Sequence, residues 1–431
     1  MMKSNRRKFL STALVSGMAV AMPGYGKHRM DHSDACLESQ NPKYAQLDEV
    51  LRRPVFKKEL FTHPVIIESV ELLRHGRKFL CRVRSKDGAE GVSVAHDMMN
   101  TFYPVFVNHL QNMFAGLDAR RLDEIVEKAL IYNMNYRYQP LPIGIPLATI
   151  EFAILDMMGH IAKKPTGQLI GEIHNTHVPV YQATEFRERP VEESVELIKR
   201  EVEKHRAQAV KIKVGALMFM TNDLDAKGPP GRTEQIIPLI RKTFGDHMPL
   251  YADANGYYQD VNEAIRVGKL LEEHDYRYFE EPTPCYWHHG TKMVNDALSI
   301  PVAGGEQEHS IYGFRWLLAN DGLEIVQPNQ YYFGGMVRSM QVARMAHAMG
   351  KTCTPHLSGD FGFIYMMHFV SAIPNSGPHI EFKGYTDVPI ECKTSSLRIL
   401  ADGTIEVPTG PGMGVTIDPD YLKKCEVVKR A

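Results

Sequence analysis

Two kinds of apolar spacing divide this chain. Residues 64–71 and 77–84 alternate apolar and polar positions on either side of Arg74-His75-Gly76, which predicts a β-hairpin. Residues 90–95 follow the Lys86-Asp87-Gly88 turn as a third strand. From 98 to 134 the apolar residues recur at helical spacing, giving two or three helices broken at Gly116. Residues 146–162 predict one long amphipathic helix, followed by Lys163-Lys164-Pro165-Thr166 and a stop at Leu169-Ile170-Gly171. A meander followed by helices is an α+β domain, expected over 61–175.

From Val178 the texture changes. Short apolar runs at 178–184, 209–214, 250–253, 277–280, 302–306, 325–328, 352–356 and 379–382 predict strands. Helical segments fall between them at 192–205, 235–244, 261–273, 288–297, 313–320, 335–350 and 364–372. Eight strand–helix alternations in roughly 200 residues point to a (β/α)8-type barrel. The predicted fold class is therefore α/β: a modified TIM-type barrel over 176–385 with an N-terminal α+β capping domain. Residues 386–431 are expected to pack back on that cap.

The strand ends carry the chemistry. Lys213, Asp253, Glu280, Glu306, Asn329, His356 and Glu381 each stand where an apolar run stops, and after Asp253 the gaps are 27, 26, 23, 27 and 25 residues. That is one βα unit each time, so these side chains gather at the C-terminal mouth, where barrels of this kind place their active sites. Asp253, Glu280 and Glu306 bring three carboxylates from consecutive strands. Left alone they repel and raise one another's pKa values, and a hard divalent cation relieves this. All-oxygen ligands suit Mg²⁺, with Mn²⁺ the near rival. Within Tyr278–Pro284 (YFEEPTP) the two adjacent acids divide the work: Glu280 closes the strand as a metal ligand, and Glu281 turns away to brace the site.

Lys211 and Lys213 share one face of their strand. Two ammonium groups that close depress each other's pKa, which makes a lysine a usable base. His356, opposite the lysines, is a candidate second acid/base. Glu381 is a candidate to hydrogen-bond a substrate carboxylate if protonated, or to act as a plain structural acid. Glu185-Phe186-Arg187-Glu188-Arg189 offers an arginine to substrate, and Tyr286-Trp287-His288-His289 offers a pocket wall. The Gly/Pro-rich insertion at 217–233 reads as a lid or a long surface loop.

Composition narrows the partners. A formal net charge of −1 over 431 residues supplies no basic excess for nucleic acid, while 44% hydrophobic residues can fill a full core. The start is different. Ser4-Asn5-Arg6-Arg7-Lys8-Phe9-Leu10, an apolar run to Met22 and Ala19-Val20-Ala21 resemble a twin-arginine export signal over 1–24. It predicts export to the periplasm without membrane anchoring, with 25–60 as linker or extension. The six cysteines are scattered and specify neither a disulfide framework nor a zinc site.

Lys211-Ile212-Lys213, Asp253-Ala254-Asn255, Glu280-Glu281-Pro282, Gly305-Glu306-Gln307, Gln327-Pro328-Asn329 with Gly334-Gly335, and His356 stand in one order. In that order, over roughly Pro64–Gly414, the chain resembles the enolase superfamily and its mandelate racemase/muconate lactonizing enzyme-like group. The resemblance implies metal at Asp253, Glu280 and Glu306, acid/base work by Lys213 and His356, and Lys211 and Asn255 against substrate. It implies a small-molecule carboxylate substrate that loses its α-proton, and a homo-oligomer. This superfamily's use of a Lys or His base with Mg²⁺ is an established pattern.

One position departs. The group pairs its histidine with an aspartate, and here that place holds Asn329. An amide orients a ring but supplies no charge to stabilise its protonated form. A one-sided route follows, in which Lys213 takes the α-proton and His356 helps a β-hydroxyl leave. The reading is a Mg²⁺-dependent sugar-acid dehydratase. A racemase, epimerase or cycloisomerase, and an exported binding protein with an eroded site, stand as alternatives.

Overall fold

In the computed structural model, residues 41–131, 140–215, 231–356, 361–383, 386–392 and 398–430 are described. The signal at 1–24, Cys36 and most of the 217–233 insertion lie outside them. The cap begins with α1 (Pro42–Leu51), a helix inside the segment expected as linker. Its polar sequence hides it, but Leu47 is buried and Asp48 takes a two-pronged hydrogen bond from Arg315, at 2.7 and 2.9 Å. Strands β1 (Ile67–His75), β2 (Lys78–Ser85) and β3 (Glu90–Val94) form the antiparallel meander. Helix α2 (Met99–Val105) runs through a wider turn at Phe106–Leu110 into α3 (Gln111–Phe114), and α4 (Leu122–Ile131) follows.

Helix α5 (Leu141–Ala162) then packs against β2 and β3. It starts five residues before the sequence suggests, because Pro146 reads as a first-turn residue yet lies inside. It is also buried on nearly every side rather than on one stripe. Long and apolar enough to cross a bilayer, it is instead a core helix. Two buried carboxylates on it reach outward. Asp156 accepts from Val92 N at 2.9 Å and Met413 N at 2.8 Å, tying β3 to the C-terminal segment. Glu151 accepts from Met336 N and Val337 N, the first amides of a barrel helix.

After α6 (Thr166–Ile170) the barrel runs β4 (His177–Ala183), α7 (Val191–His205), β5 (Val210–Lys213), α8 (Arg232–Phe244), β6 (Leu250–Asp253), α9 (Val261–Glu273), β7 (Phe279–Glu280), α10 (His288–Ala297), β8 (Val302–Gly304), α11 (Ile311–Ala319), β9 (Ile325–Val326), α12 (Met336–Ala348), β10 (Thr352–Cys353), α13 (Gly362–Ser371) and β11 (Ile380–Phe382). The expected barrel is present: among the described residues eight parallel strands are joined by seven helices. Neighbours pair in sequence order from β4 to β10, and β11 lies beside β4. Cys353 N, donating to Asn375 O at 2.9 Å, links β10 to the approach of β11.

After β11 the chain runs through β12 (Ile390–Cys392), β13 (Thr404–Glu406), which pairs antiparallel with β4, β14 (Val415–Ile417) and α14 (Pro419–Lys423). It ends in β15 (Glu426–Val427), which pairs with β1 and so completes the cap sheet. Inside the barrel the floor beneath the mouth is aromatic. Tyr181, Tyr251 and Tyr278 pack ring to ring, with centroids 5.2 and 4.4 Å apart, among Ala183, Ala209, Ala303 and Ile325. This buried floor supports the polar layer above it.

Candidate active site

Parallel pairing sets the mouth. Lys213 lies opposite Asp253, and Asp253 opposite Glu280, in register across β5, β6 and β7. Asp253 and Glu280 are fully buried and Glu306 nearly so. The backbone just past the strands is strained: Asn255, Glu281 and Gly305 all have positive φ, at 46°, 41° and 105°. Asparagine and glycine tolerate that region, whereas a glutamate there costs energy that surrounding contacts must hold. Ala254 N donates to Glu280 O and Gly256 N to Glu281 O, at 3.0 and 2.8 Å. Those bonds tie the two strand ends together.

Lys211 Nζ donates to both Glu280 oxygens, at 2.7 and 2.8 Å, and lies 3.4 Å from Glu381 and 3.5 Å from Asp253. Burial works against its charge, but Glu280 and Glu381 outweigh it and raise its pKa well above the ordinary value. The mutual depression expected of the lysine pair is therefore overridden at Lys211 by the acids around it. Lys213 Nζ sits 2.5 Å from Asp253 Oδ2 and 2.9 Å from Asn255 Oδ1. Arg187 Nη2 shares that Asn255 oxygen at 3.0 Å and reaches Asp253 O at 3.1 Å. Asn255, expected against substrate, here accepts from both Lys213 and Arg187.

Burial pushes Asp253 up, but Lys213 and Lys211 hold its carboxyl far below the usual range. Burial and Asp253 push Glu280 up to about 8, with Lys211 opposing. Gln327 Nε2 also donates to Glu280, at 2.8 Å. Burial pushes the Glu381 carboxyl up, but Lys211 and Lys383 hold it below the usual range, which favours the carboxylate form. Its ion pairs with Lys211 and Lys383, at 3.4 and 3.5 Å, favour the structural-acid reading of Glu381 over the protonated donor.

On the far side Asn329 Nδ2 and His356 Nδ1 are 2.7 Å apart. The amide's orientation is fixed by its other end, because Oδ1 accepts from Tyr331 N and Tyr332 N at 3.0 and 3.1 Å. The NH₂ therefore faces the ring, Nδ1 must accept, and the neutral imidazole carries its hydrogen on Nε2. That Nε2 lies 3.2 Å from Glu306 Oε2 and 3.6 Å from Glu381 Oε2. Burial lowers the pKa of His356, with Glu306 and Glu381 pulling the other way.

Lys383 was not anticipated from the sequence. Its Nζ is 3.4 Å from His356 Nε2 and 3.5 Å from Glu381 Oε1. Strand alternation, which puts it on the same face as Glu381, is the signal that could have found it. His96, from the loop after β3, sets its ring edge-on to Tyr331 and Tyr332 and brings the cap to the mouth. The segment after β7 is occupied otherwise: His288 pairs with Glu308 at 2.7 Å, His289 meets the Trp316 ring, and Tyr286 stands in solvent.

Among the described residues, no three acidic, histidine or cysteine side chains are drawn together as metal ligands. The donor set nonetheless suits a hard cation. Three buried carboxylates share one mouth, burial and then its neighbour Asp253 push Glu280 up, and buried Glu306 Oε2 makes no hydrogen bond among the described residues, His356 Nε2 approaching it to 3.2 Å as an ion-pair contact only.

Fold and site together define an α/β-barrel enzyme site built for acid–base work on an anion. The sequence model described as "Enolase C-terminal domain-like" matches residues 193–421, more than half of the chain, and the chain belongs to that family. Arabinonate dehydratase of Saccharolobus solfataricus is 25% identical over 365 residues, covering 84% of this chain and 90% of that protein. The 3,6-anhydro-alpha-L-galactonate cycloisomerase of Streptomyces coelicolor is 25% identical over 352 residues, covering 80% and 90%. Among solved structures, a mandelate racemase/muconate lactonizing protein from Paracoccus denitrificans PD1222, complexed with magnesium, superposes with a TM-score of 0.74. It is 23% identical and the match covers 85% of this chain and 98% of that one.

Proposed function

We propose that the protein is a dehydratase of a sugar acid, removing the proton α to a carboxylate and then a β-hydroxyl as water. The observation that carries this reading is the Asn329–His356 pair, whose geometry makes the site one-sided. A racemase needs a base on each face of the α-carbon. Here Nδ1 of His356 is turned to an amide N–H and Nε2 already holds a hydrogen, so the ring has no ready place for a second proton.

Asp253, Glu280 and Glu306 are the residues that would hold Mg²⁺, with Mn²⁺ as near rival. Bound there, the cation supplies the positive charge that makes so weak a carbon acid removable. Lys213 is the base, oriented by Asn255 and Asp253. Lys211, kept as an ammonium by Glu280 and Glu381, faces the substrate carboxylate as a fixed charge. His356 offers Nε2–H as a hydrogen-bond donor that orients the substrate. The aromatic floor keeps water from reaching this layer from below.

The Streptomyces relative favours a second reading, cycloisomerisation, which shares the first step and loses no water. Purified protein with Mg²⁺ and a panel of aldonic and aldaric acids separates them. Release of a 2-keto-3-deoxy acid supports the dehydratase, and isomerisation without water loss supports the second reading. No reaction with any acid removes both. Export by the twin-arginine-type signal and assembly into a homo-oligomer belong to the same proposal. Cell fractionation and light scattering test them.

A further inference from the structure

We infer that Lys383, rather than His356, gives the proton to the departing β-hydroxyl. The inference rests on the dehydratase reading and concerns which group completes it.

Elimination of hydroxide needs an acid, because hydroxide is a poor leaving group until it is protonated. Asn329 leaves His356 one hydrogen, on Nε2, and blocks Nδ1 from taking another. Giving up that hydrogen makes an imidazolate, so the neutral ring is a hydrogen-bond donor and a very weak acid. The ammonium 3.4 Å away is far stronger, with an ordinary lysine pKa of roughly 10.4. Lys383 shares Glu381 with Lys211, at 3.5 and 3.4 Å, so one carboxylate anchors both cations.

Access separates the three lysines. Lys211 and Lys213 keep 1% and 6% of their side chains exposed, whereas Lys383 keeps 38%. Lys211 is committed to both oxygens of Glu280, and Lys213 to Asp253 and Asn255. Lys383 is the cation that meets an entering substrate beside His356. Glu381, outweighing burial, keeps that ammonium charged.

The step balances. Lys213, acting as its free amine, takes the α-proton and becomes an ammonium, and the freed electron pair forms the Cα–Cβ double bond as the Cβ–O bond breaks. The oxygen leaves with its pair, takes a proton from Lys383 and departs as water, leaving a neutral amine on Lys383. The enol formed tautomerises to the 2-keto-3-deoxy acid. Lys213 then returns its proton to solvent, and Lys383 recovers one from it.

The test compares leaving groups. Fluoride departs without a proton, so a 3-deoxy-3-fluoro acid sugar bypasses the acid. For Lys383→Met, water loss from the natural configuration is expected to fall 100-fold or more, with fluoride loss within threefold of wild type. Exchange of the α-proton in D₂O should be retained, which shows that the variant folds and binds. Equal loss of both eliminations overturns the inference, since Lys383 then only binds or supports. So does water loss within threefold of wild type, or a leaving-group-selective defect in His356→Asn instead. Wild-type protein that eliminates nothing from any acid sugar brings down the dehydratase reading itself.

Discussion

Replacing Asn329 with aspartate should turn His356 from a fixed donor into a base. The side chains are nearly isosteric, and one aspartate oxygen can keep the amides of Tyr331 and Tyr332. The other would face His356 Nδ1 from the position Nδ2 now holds, 2.7 Å away. It would then accept a hydrogen that the ring at present cannot carry there. A carboxylate with its charge roughly 4 Å from that of the ring is worth about 4 kcal/mol at an effective dielectric of about 20. That would lift the His356 pKa by at most about three units, and neighbouring charges of this kind usually give about one to three. Burial already lowers the pKa of the wild-type ring, which favours its neutral form. Imidazole ¹⁵N–¹H correlation spectra read the change directly. Wild type should show Nε2–H, while Asn329→Asp should show Nδ1–H and take up its second ring proton at a higher pH than wild type. The variant should also gain α-proton exchange from the histidine side. A wild-type spectrum with Nδ1–H, or an unchanged spectrum in the variant, would refute the argument.

Three further outcomes follow from the same contacts. Glu151 has its pKa raised from 4.5 to about 8 by burial, opposed by the two amides it caps. A raised folded-state value means stability is full below pH 4.5 and lost as pH rises through 8, up to about 5 kcal/mol in all. Glu151→Gln cannot ionise, so its stability relative to wild type should climb between pH 4.5 and 8 in urea titrations and stay level above. Gly335→Ala should destabilise by roughly 2 kcal/mol or more in the same assay. Its φ is +127°, and a Cβ would lie 2.3 Å from the Glu151 carboxyl. Glu306→Gln should keep the fold by circular dichroism but weaken Mg²⁺ binding by calorimetry at least 10-fold, because one carboxylate of three is lost.

The barrel was legible because each strand end falls one βα unit after the last, and chemistry at that period survives as spacing. Asp253, Glu280 and Glu306 could be read that way. The cap was legible in its strands but not at its edges. Pro146 imitates a helix start, and α1 is too polar to advertise burial that comes only from docking on the barrel. What spacing could not show is which atom faces which. The low pKa of Glu381 comes from lysines on two strands, and the tautomer of His356 from backbone amides two and three residues past Asn329. Lys383 was missed for the same reason: strand alternation puts it on the face of Glu381 but does not show that it lies beside His356.

The most direct test of the central claim follows a sugar acid that the wild type consumes, in D₂O with Mg²⁺, by proton NMR. The site described here predicts loss of the α-proton signal together with formation of a 2-keto-3-deoxy acid, and neither event in Lys213→Ala. Deuterium exchange that returns both α-configurations without water loss, or full activity in Lys213→Ala, would contradict it.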